Sequence, residues 1–265
     1  ASRMPEFTLV TGACGGLGSA FVRLLAERGE ALFLTGRSET RLTALKKELL
    51  AAFPALTVEV CACDLTDEAS RAALFAFADD RKMRFARLVY VAGVDTQKAL
   101  EKYTAQKVVL QSRVNLEAAC DLACGVFVRR GDFPEFLAVG SMSASTPMPY
   151  FALYSATKKG LEQLFVALHG EWKGRAKVTV VLPGGIPTRE DIKENIRAHG
   201  WFGRVSALSP RTVAERSLRA LARNRRKTVI GGWNKLLYAL TRCVPTGIRL
   251  SFVSRMWSKT EKDAF

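Results

Sequence analysis

The chain has 265 residues, 48% of them hydrophobic, and a formal net charge of +15. These values fit one domain with a core on both sides of a sheet and exclude a disordered chain. No apolar run reaches the length of about eighteen residues that a membrane span needs, the opening Ala1-Ser2-Arg3-Met4-Pro5 has no apolar signal region, and the positive balance indicates attraction to anionic surfaces without defining a patch.

Residues 7–10 form a short apolar strand that runs into Thr11-Gly12-Ala13-Cys14-Gly15-Gly16-Leu17-Gly18. Helical spacing follows over residues 19–28, closed by Gly29, and a second strand covers 31–35. Residues 39–52 are helical through Leu42, Leu45 and Leu49, and Pro54 stops them. Residues 56–63 alternate as a strand ending at Asp64, and Asp67 caps a helix over 67–78. A strand at 88–92 ends at Gly93. A long helix is predicted over 105–129, a strand over 136–139, a helix over 154–170 and a strand over 177–182. Beyond a polar segment, Ser209-Pro210 starts a helix over 212–223, and 228–231 is a last short strand. Strand and helix alternating in this way predict a single doubly wound parallel sheet with helices on both faces. One domain spans 1–265: a core over 5–188, a substrate lid over 189–210 and an amphipathic helical extension over 233–265.

The six cysteines, Cys14, Cys61, Cys63, Cys120, Cys124 and Cys243, read as reduced thiols in a cytoplasm, because no secretion signal accompanies them. Cys120 and Cys124 have no His or acid cluster beside them to complete a metal site, so no metal is expected.

The glycine loop lies between the first strand and the first helix. There the backbone can approach a pyrophosphate, and the helix N-terminus offers free N–H groups and a positive dipole end. Its spacing is Gly-x-x-x-Gly-x-Gly rather than Gly-x-Gly-x-x-Gly. The second strand ends in Thr35-Gly36-Arg37-Ser38. An acid at this position would hold the ribose hydroxyl of NAD. Arg37 instead suits the 2′-phosphate of NADP, with Ser38 adding a hydroxyl.

Ser141 stands thirteen residues before Tyr154, and Lys158 follows four residues later. With these in place after the glycine loop, the chain resembles the short-chain dehydrogenase/reductase family over about residues 7–188. The glycine motif matches at Thr11, Gly12, Gly16 and Gly18, the acid after the third strand at Asp64 with Leu65, the Ala-Gly pair at Ala92-Gly93, the helix asparagine at Asn115, and the closing motif at Pro183, Gly184 and Thr188. Where the family has two asparagines before Ala-Gly, this chain has Tyr90-Val91, a departure on the adenosine side of the site.

The resemblance implies an NADP(H)-dependent carbonyl reductase or alcohol dehydrogenase, hydroxysteroid-dehydrogenase-like. Tyr154 and Lys158 share a helix face, and an ammonium beside a phenol favours the phenolate, so Tyr154 can exchange a proton with a carbonyl oxygen. Ser141 would hold that oxygen. By resemblance Lys158 also bonds the nicotinamide ribose, and Asn115 anchors a water in the proton relay. The same resemblance places Gly12, Cys14, Gly15, Gly16, Leu17, Gly18, Asp64, Leu65, Ala92, Gly93, Pro183, Gly184, Ile186 and Thr188 against the cofactor.

The substrate is expected to be a hydrophobic ketone or aldehyde such as a steroid or lipid. Met148, Tyr150 and Phe151 lie on one wall, and Ile192, Ile196, Trp201 and Phe202 lie in the lid. The alternatives are a 3-oxoacyl reductase acting on an acidic carrier protein, which the basic surface favours, and a non-catalytic NADPH sensor, which the intact Ser141, Asn115, Tyr154 and Lys158 disfavour. Residues 233–257 mix apolar side chains with Arg242, Arg249 and Arg255. They read as a peripheral membrane anchor with the arginines on its polar side, as a subunit contact, or as a cover over the pocket. A homodimer or homotetramer and no nucleic-acid partner are expected.

Overall fold

The computed structural model describes residues 5–187 and 207–258. Seven strands, β1 (Glu6–Val10), β2 (Leu32–Gly36), β3 (Val58–Ala62), β4 (Arg84–Tyr90), β5 (Arg130–Val139), β6 (Lys177–Leu182) and β7 (Lys227–Val229), make one sheet in the order β3-β2-β1-β4-β5-β6-β7. Every neighbouring pair is parallel. The α-helices among the described residues are α1 (Gly16–Glu27), α2 (Glu39–Ala52), α3 (Glu68–Asp80), α4 (Ala105–Ser112), α5 (Ala118–Val128), α6 (Ala152–Glu171), α7 (Pro210–Ala222), α8 (Gly232–Cys243) and α9 (Thr246–Trp257).

Successive strand residues point to opposite faces, so each strand feeds two cores. On one face, Phe33, Phe85, Leu88 and Phe136 pack against Leu74 of α3, Leu122 of α5 and Leu161 and Phe165 of α6. On the other, Val10, Leu32, Leu34 and Val181 pack against Phe21 and Leu25 of α1, Leu45 of α2 and Leu218 of α7. Strand order reverses beside β1, which has β2 on one side and β4 on the other. In open parallel sheets the crevice above such a reversal, at the carboxyl ends of the strands, is where ligands bind. Among the described residues no helix is long and apolar enough to cross a membrane.

The doubly wound architecture is the predicted one, and its differences from the sequence reading are local. Helix α1 starts at Gly16 rather than 19, so the last glycines of the loop form its first turn. Strand β4 begins at Arg84 rather than 88. Its Arg87 is half-hidden and pairs with Glu30 and with Glu135 (2.7 Å), so ion pairing places a charged residue inside the strand. Strand β5 begins at Arg130 rather than 136, with a register shift against β4 between Phe85 and Arg87. Its polar start, with Gly131 and Pro134, masked the strand.

The long helix predicted over 105–129 is interrupted by a π-helical turn, Arg113–Glu117. Such turns gather at functional sites because the extra residue re-aims a side chain, and this one carries Asn115. The caps follow expectation: Asp67 accepts from the N–H groups of Ala69 and Ser70, and Ser209 from that of Thr212. Residues 233–257 form α8 and α9, joined through Val244 and Pro245. Thr188, most of the lid including Ile192, Ile196, Trp201 and Phe202, and the chain beyond Ser258 lie outside the described residues.

Candidate active site

A single continuous cleft of about 1780 Å³ runs across the carboxyl ends of β1, β2, β4, β5 and β6. Of the residues assigned from sequence, Gly12, Cys14, Gly15, Gly16, Leu17, Gly18, Arg37, Ser38, Asp64, Leu65, Ala92, Gly93, Ser141, Tyr154, Lys158, Pro183, Gly184 and Ile186 all line it. Asn115 lies just behind its wall, fully buried.

One end is built for a dinucleotide. Gly12 has φ +60, and a Cβ there would come within 3.3 Å of the Ala92 backbone. At Gly18 a Cβ would fall 1.9 Å from the Gly12 carbonyl oxygen. Loop and helix are thus packed at a distance only glycine allows. Gly15 precedes α1 without any side-chain cap, and the first turn of α1 has no acid, so its N–H groups are left for an anion. Thr11 braces this end: its Oγ1 accepts from the N–H groups of Val91 (2.9 Å) and Ala92 (3.1 Å).

At the tip of β2, Arg37 and Ser38 are joined by Arg41, which the sequence reading did not name. The Arg41 guanidinium donates to the Cys14 carbonyl (2.7 Å) and so ties α2 to the glycine loop. Its signal was its place one turn after Arg37. The Ser38 hydroxyl oxygen accepts from the Arg41 N–H as the cap of α2, which leaves its hydrogen to donate. The Asp64 carboxylate accepts from the Thr66 N–H (2.9 Å) and hydroxyl (2.7 Å), and these bonds hold it below the usual carboxylate range. Cleft and loop together fit a nicotinamide dinucleotide.

At the other end, Tyr154 projects from α6 with its ring stacked on Phe151 (centroids 4.3 Å apart). The loop that delivers it is strained, since Tyr150 is held at φ +62, a conformation bulky side chains rarely adopt. Lys158 lies one turn on, 3% exposed, its Nζ 5.8 Å from the Tyr154 ring centre and donating to the Val139 carbonyl (3.0 Å). Burial pushes its pKa down to about 8, with the nearby Asp95 carboxylate opposing. Ser141 Oγ accepts twice, from the Ser143 N–H (3.1 Å) and hydroxyl (2.8 Å), so its own O–H remains to donate into the cleft.

The Asn115 side chain is fully engaged. Its Oδ1 accepts from the Val94 N–H (2.9 Å), and its Nδ2 donates to the Val94 carbonyl (2.9 Å) and to Thr157 Oγ1 (3.1 Å). It therefore pins the loop after β4 to α6. Tyr90 takes over bracing at the place of a missing asparagine: it is fully buried, and its hydroxyl donates to the Val114 carbonyl in the π turn (2.5 Å).

The lowered pKa of Lys158 has a consequence for stability. In the unfolded chain a lysine titrates near ~10.4. Below about 8 the folded protein carries a buried ammonium and its desolvation cost; that cost fades as pH rises from about 8 toward ~10.4. We expect Lys158→Met to be the more stable protein at pH 7, by up to about 3 kcal/mol. The gain should shrink above pH 8. Urea denaturation of both proteins at pH 7 and 9.5 measures it, and a variant less stable at both values would contradict the argument.

The remaining wall is apolar and comes partly from the C-terminal helices. Met148 and Phe151 face Asn234, Leu237 and Thr241 of α8 and Phe252, Val253, Met256 and Trp257 of α9. Trp257 stacks on Phe151 (5.6 Å), completing a file of rings with Tyr154. Residues of α8 and α9 line the cleft, as the pocket-cover reading of this tail expects. Arg249 departs from the expected polar side and lines the cleft, while Leu236, Leu240 and Ile248 are exposed. The sequence reading also missed Asp95 and Gln97, loop residues that enter the cleft after Gly93.

Comparison with known proteins agrees with this geometry. The chain is 30% identical over 190 residues to sulfoacetaldehyde reductase 2 of Chromohalobacter salexigens, covering 68% of this chain and 73% of that one. It is 27% identical over 180 residues to a very-long-chain 3-oxoacyl-CoA reductase of Caenorhabditis briggsae, covering 63% and 55%. The bulky-bulky ketone specific alcohol dehydrogenase of Comamonas testosteroni shares the fold, with a TM-score of 0.73 at 22% identity over 91% of this chain and 94% of that one. Residues 6–199 match the short chain dehydrogenase family. The chain thus belongs to the short-chain dehydrogenase/reductase family of oxidoreductases, which bind nicotinamide dinucleotides.

Proposed function

We propose that the protein reduces a bulky, hydrophobic ketone or aldehyde with NADPH, or catalyses the reverse oxidation. The observation that carries this reading is the placement of Tyr154, Lys158 and Ser141 where the dinucleotide end of the cleft meets its apolar wall. When bound, the cofactor supplies the hydride. Tyr154 gives its phenolic proton to the carbonyl oxygen, and the Ser141 hydroxyl donates to the same oxygen and orients it. Lys158, as the ammonium, stabilises the phenolate that results. Asn115, its side chain engaged by Val94 and Thr157, holds α6 and the loop after β4 in register.

The preference for NADPH rests on Arg37, Ser38 and Arg41 at the tip of β2, where no acid stands to receive a ribose hydroxyl. A charge-assisted pair with a phosphate is worth about 1.5–3 kcal/mol, so Arg37→Leu should weaken NADPH binding about 10- to 100-fold. NADH should be little affected. Fluorescence titration of both nucleotides reads this directly; a NADPH affinity that survived the substitution would remove Arg37 from the role.

A second reading, reduction of a 3-oxoacyl thioester, draws on the oxoacyl-CoA reductase among the relatives and on the net charge of +15, which suits an acidic or phosphorylated carrier. Following NADPH absorbance against steroid ketones, 3-oxoacyl thioesters and small aldehydes separates the two. Turnover confined to the small aldehydes would sink the hydrophobic-substrate reading.

A further inference from the structure

Arg249 enters the cleft on the α9 face it shares with Phe252, Val253, Met256 and Trp257. The spacing i, i+3, i+4, i+7, i+8 makes these five one stripe along the helix. Among the described residues, Arg249 Nε and Thr146 Oγ1, both on side chains that line the cleft, are buried without a hydrogen-bond partner. The guanidinium makes one side-chain hydrogen bond among the described residues, from Nη2 to Thr246 Oγ1 (2.9 Å). It has no carboxylate partner among them, and residues 232–258 contain neither Asp nor Glu. A guanidinium whose inner edge is desolvated and unpaired is costly, and such a group in a folded protein calls for a missing partner.

The other cations of the cleft are already placed. Arg37 and Arg41 stand at the tip of β2, and Lys158 is buried beneath Tyr154. Arg249 belongs to the apolar end. At the far end of its stripe, Trp257 stacks on Phe151, which stacks on Tyr154. Arg249 and Trp257 are eight residue steps apart on the helix, about 12 Å along the axis. Between them Val253 and Met256 offer only apolar surface. Along this face of α9 the residues run from Trp257, which joins the aromatic file at Phe151 and Tyr154, through Met256 and Val253 to the guanidinium of Arg249.

We infer that Arg249 is the anion-binding subsite of the substrate pocket, and that the substrate is an elongated apolar carbonyl compound ending in a carboxylate. The planar guanidinium meets a carboxylate with two parallel hydrogen bonds, and an apolar site makes that pair selective against a neutral end group. This inference rests on the carbonyl-reductase reading above and specifies its substrate.

The test uses the full chain, NADPH and a chain-length series of ω-oxo carboxylates with their methyl esters. The wild type should prefer acid over ester about 10- to 100-fold in kcat/KM, chiefly through KM, with an optimum at one chain length. In Arg249→Leu that ratio should collapse toward one, and Arg249→Lys should restore part of it. Acid and ester turned over equally by the wild type would overturn the inference. So would equal losses on both in Arg249→Leu, or a large rise in the Kd for NADPH, which would place the arginine at the cofactor.

If no carbonyl compound is turned over, the reductase reading fails by itself. The subsite is then read by calorimetry of dodecanoate on the NADPH-loaded protein. Saturable binding that Arg249→Leu abolishes upholds it, and identical binding by both proteins rejects it.

Discussion

Replacing Tyr154 with phenylalanine should reduce turnover by about 10²–10⁴-fold while NADPH binding stays essentially unchanged. The substitution removes one oxygen and nothing else of consequence. The phenyl ring keeps its stack on Phe151, and Lys158 keeps its bond to the Val139 carbonyl, so α6 and the pocket wall retain their packing. What disappears is the phenolic proton that α6 presents beside a buried lysine. Nucleotide titration beside single-turnover kinetics separates binding from chemistry. Substantial turnover in the variant would show that another group, such as Ser141 or water, delivers the proton.

The second large effect is expected at Gly18, where the substitution to alanine should weaken NADPH binding more than any other single methyl. The added Cβ would lie 1.9 Å from the Gly12 carbonyl oxygen and 2.7 Å from its carbon. Both are backbone atoms, so the glycine loop itself must shift, and with it the N–H groups meant for the pyrophosphate. Overpacking of this kind costs about 1–3 kcal/mol in stability, and displaced phosphate contacts add a loss of about tenfold or more in affinity. Gly170, where a Cβ would meet nothing within 4 Å, is the control. Gly170→Ala lies inside α6 and should bind NADPH normally and gain up to about 1 kcal/mol. Equal affinity in both variants would mean that the loop tolerates displacement and does not cradle the phosphates.

Most of the cofactor end was legible in the sequence. The residues that line it stand in local patterns: a glycine loop between the first strand and first helix, Arg37 at the end of the second strand, and a tyrosine and lysine one helical turn apart. Local spacing is something a linear chain displays directly, because 3.6 residues per turn and two per pleat tie sequence distance to direction. The misplaced boundaries share a cause as well. Arg87 and the polar start of β5 lie within strands because ion pairs and a register shift absorb them, and neither partner is adjacent in sequence.

The π turn at Arg113–Glu117 was hidden for a similar reason. What holds it is Tyr90 from β4, together with the bonds from Asn115 to Val94 and Thr157, all long-range in the chain. The departure from the family's two asparagines lies on the adenosine side, and in the folded protein Tyr90 supplies a brace there of its own.

The sequence by itself determined the doubly wound sheet, the glycine loop and the face shared by Tyr154 and Lys158, because each follows from periodicity and nearest-neighbour chemistry. Only the tertiary structure decided what covers the pocket. Helices α8 and α9 carry apolar residues on more than one side, so their pattern does not say which side faces inward. Packing against Phe151 turned Trp257 and Arg249 into the cleft and left Leu240 and Ile248 outside. That choice depends on contacts across about a hundred residues of chain, where burial against a specific surface, rather than local propensity, selects the orientation.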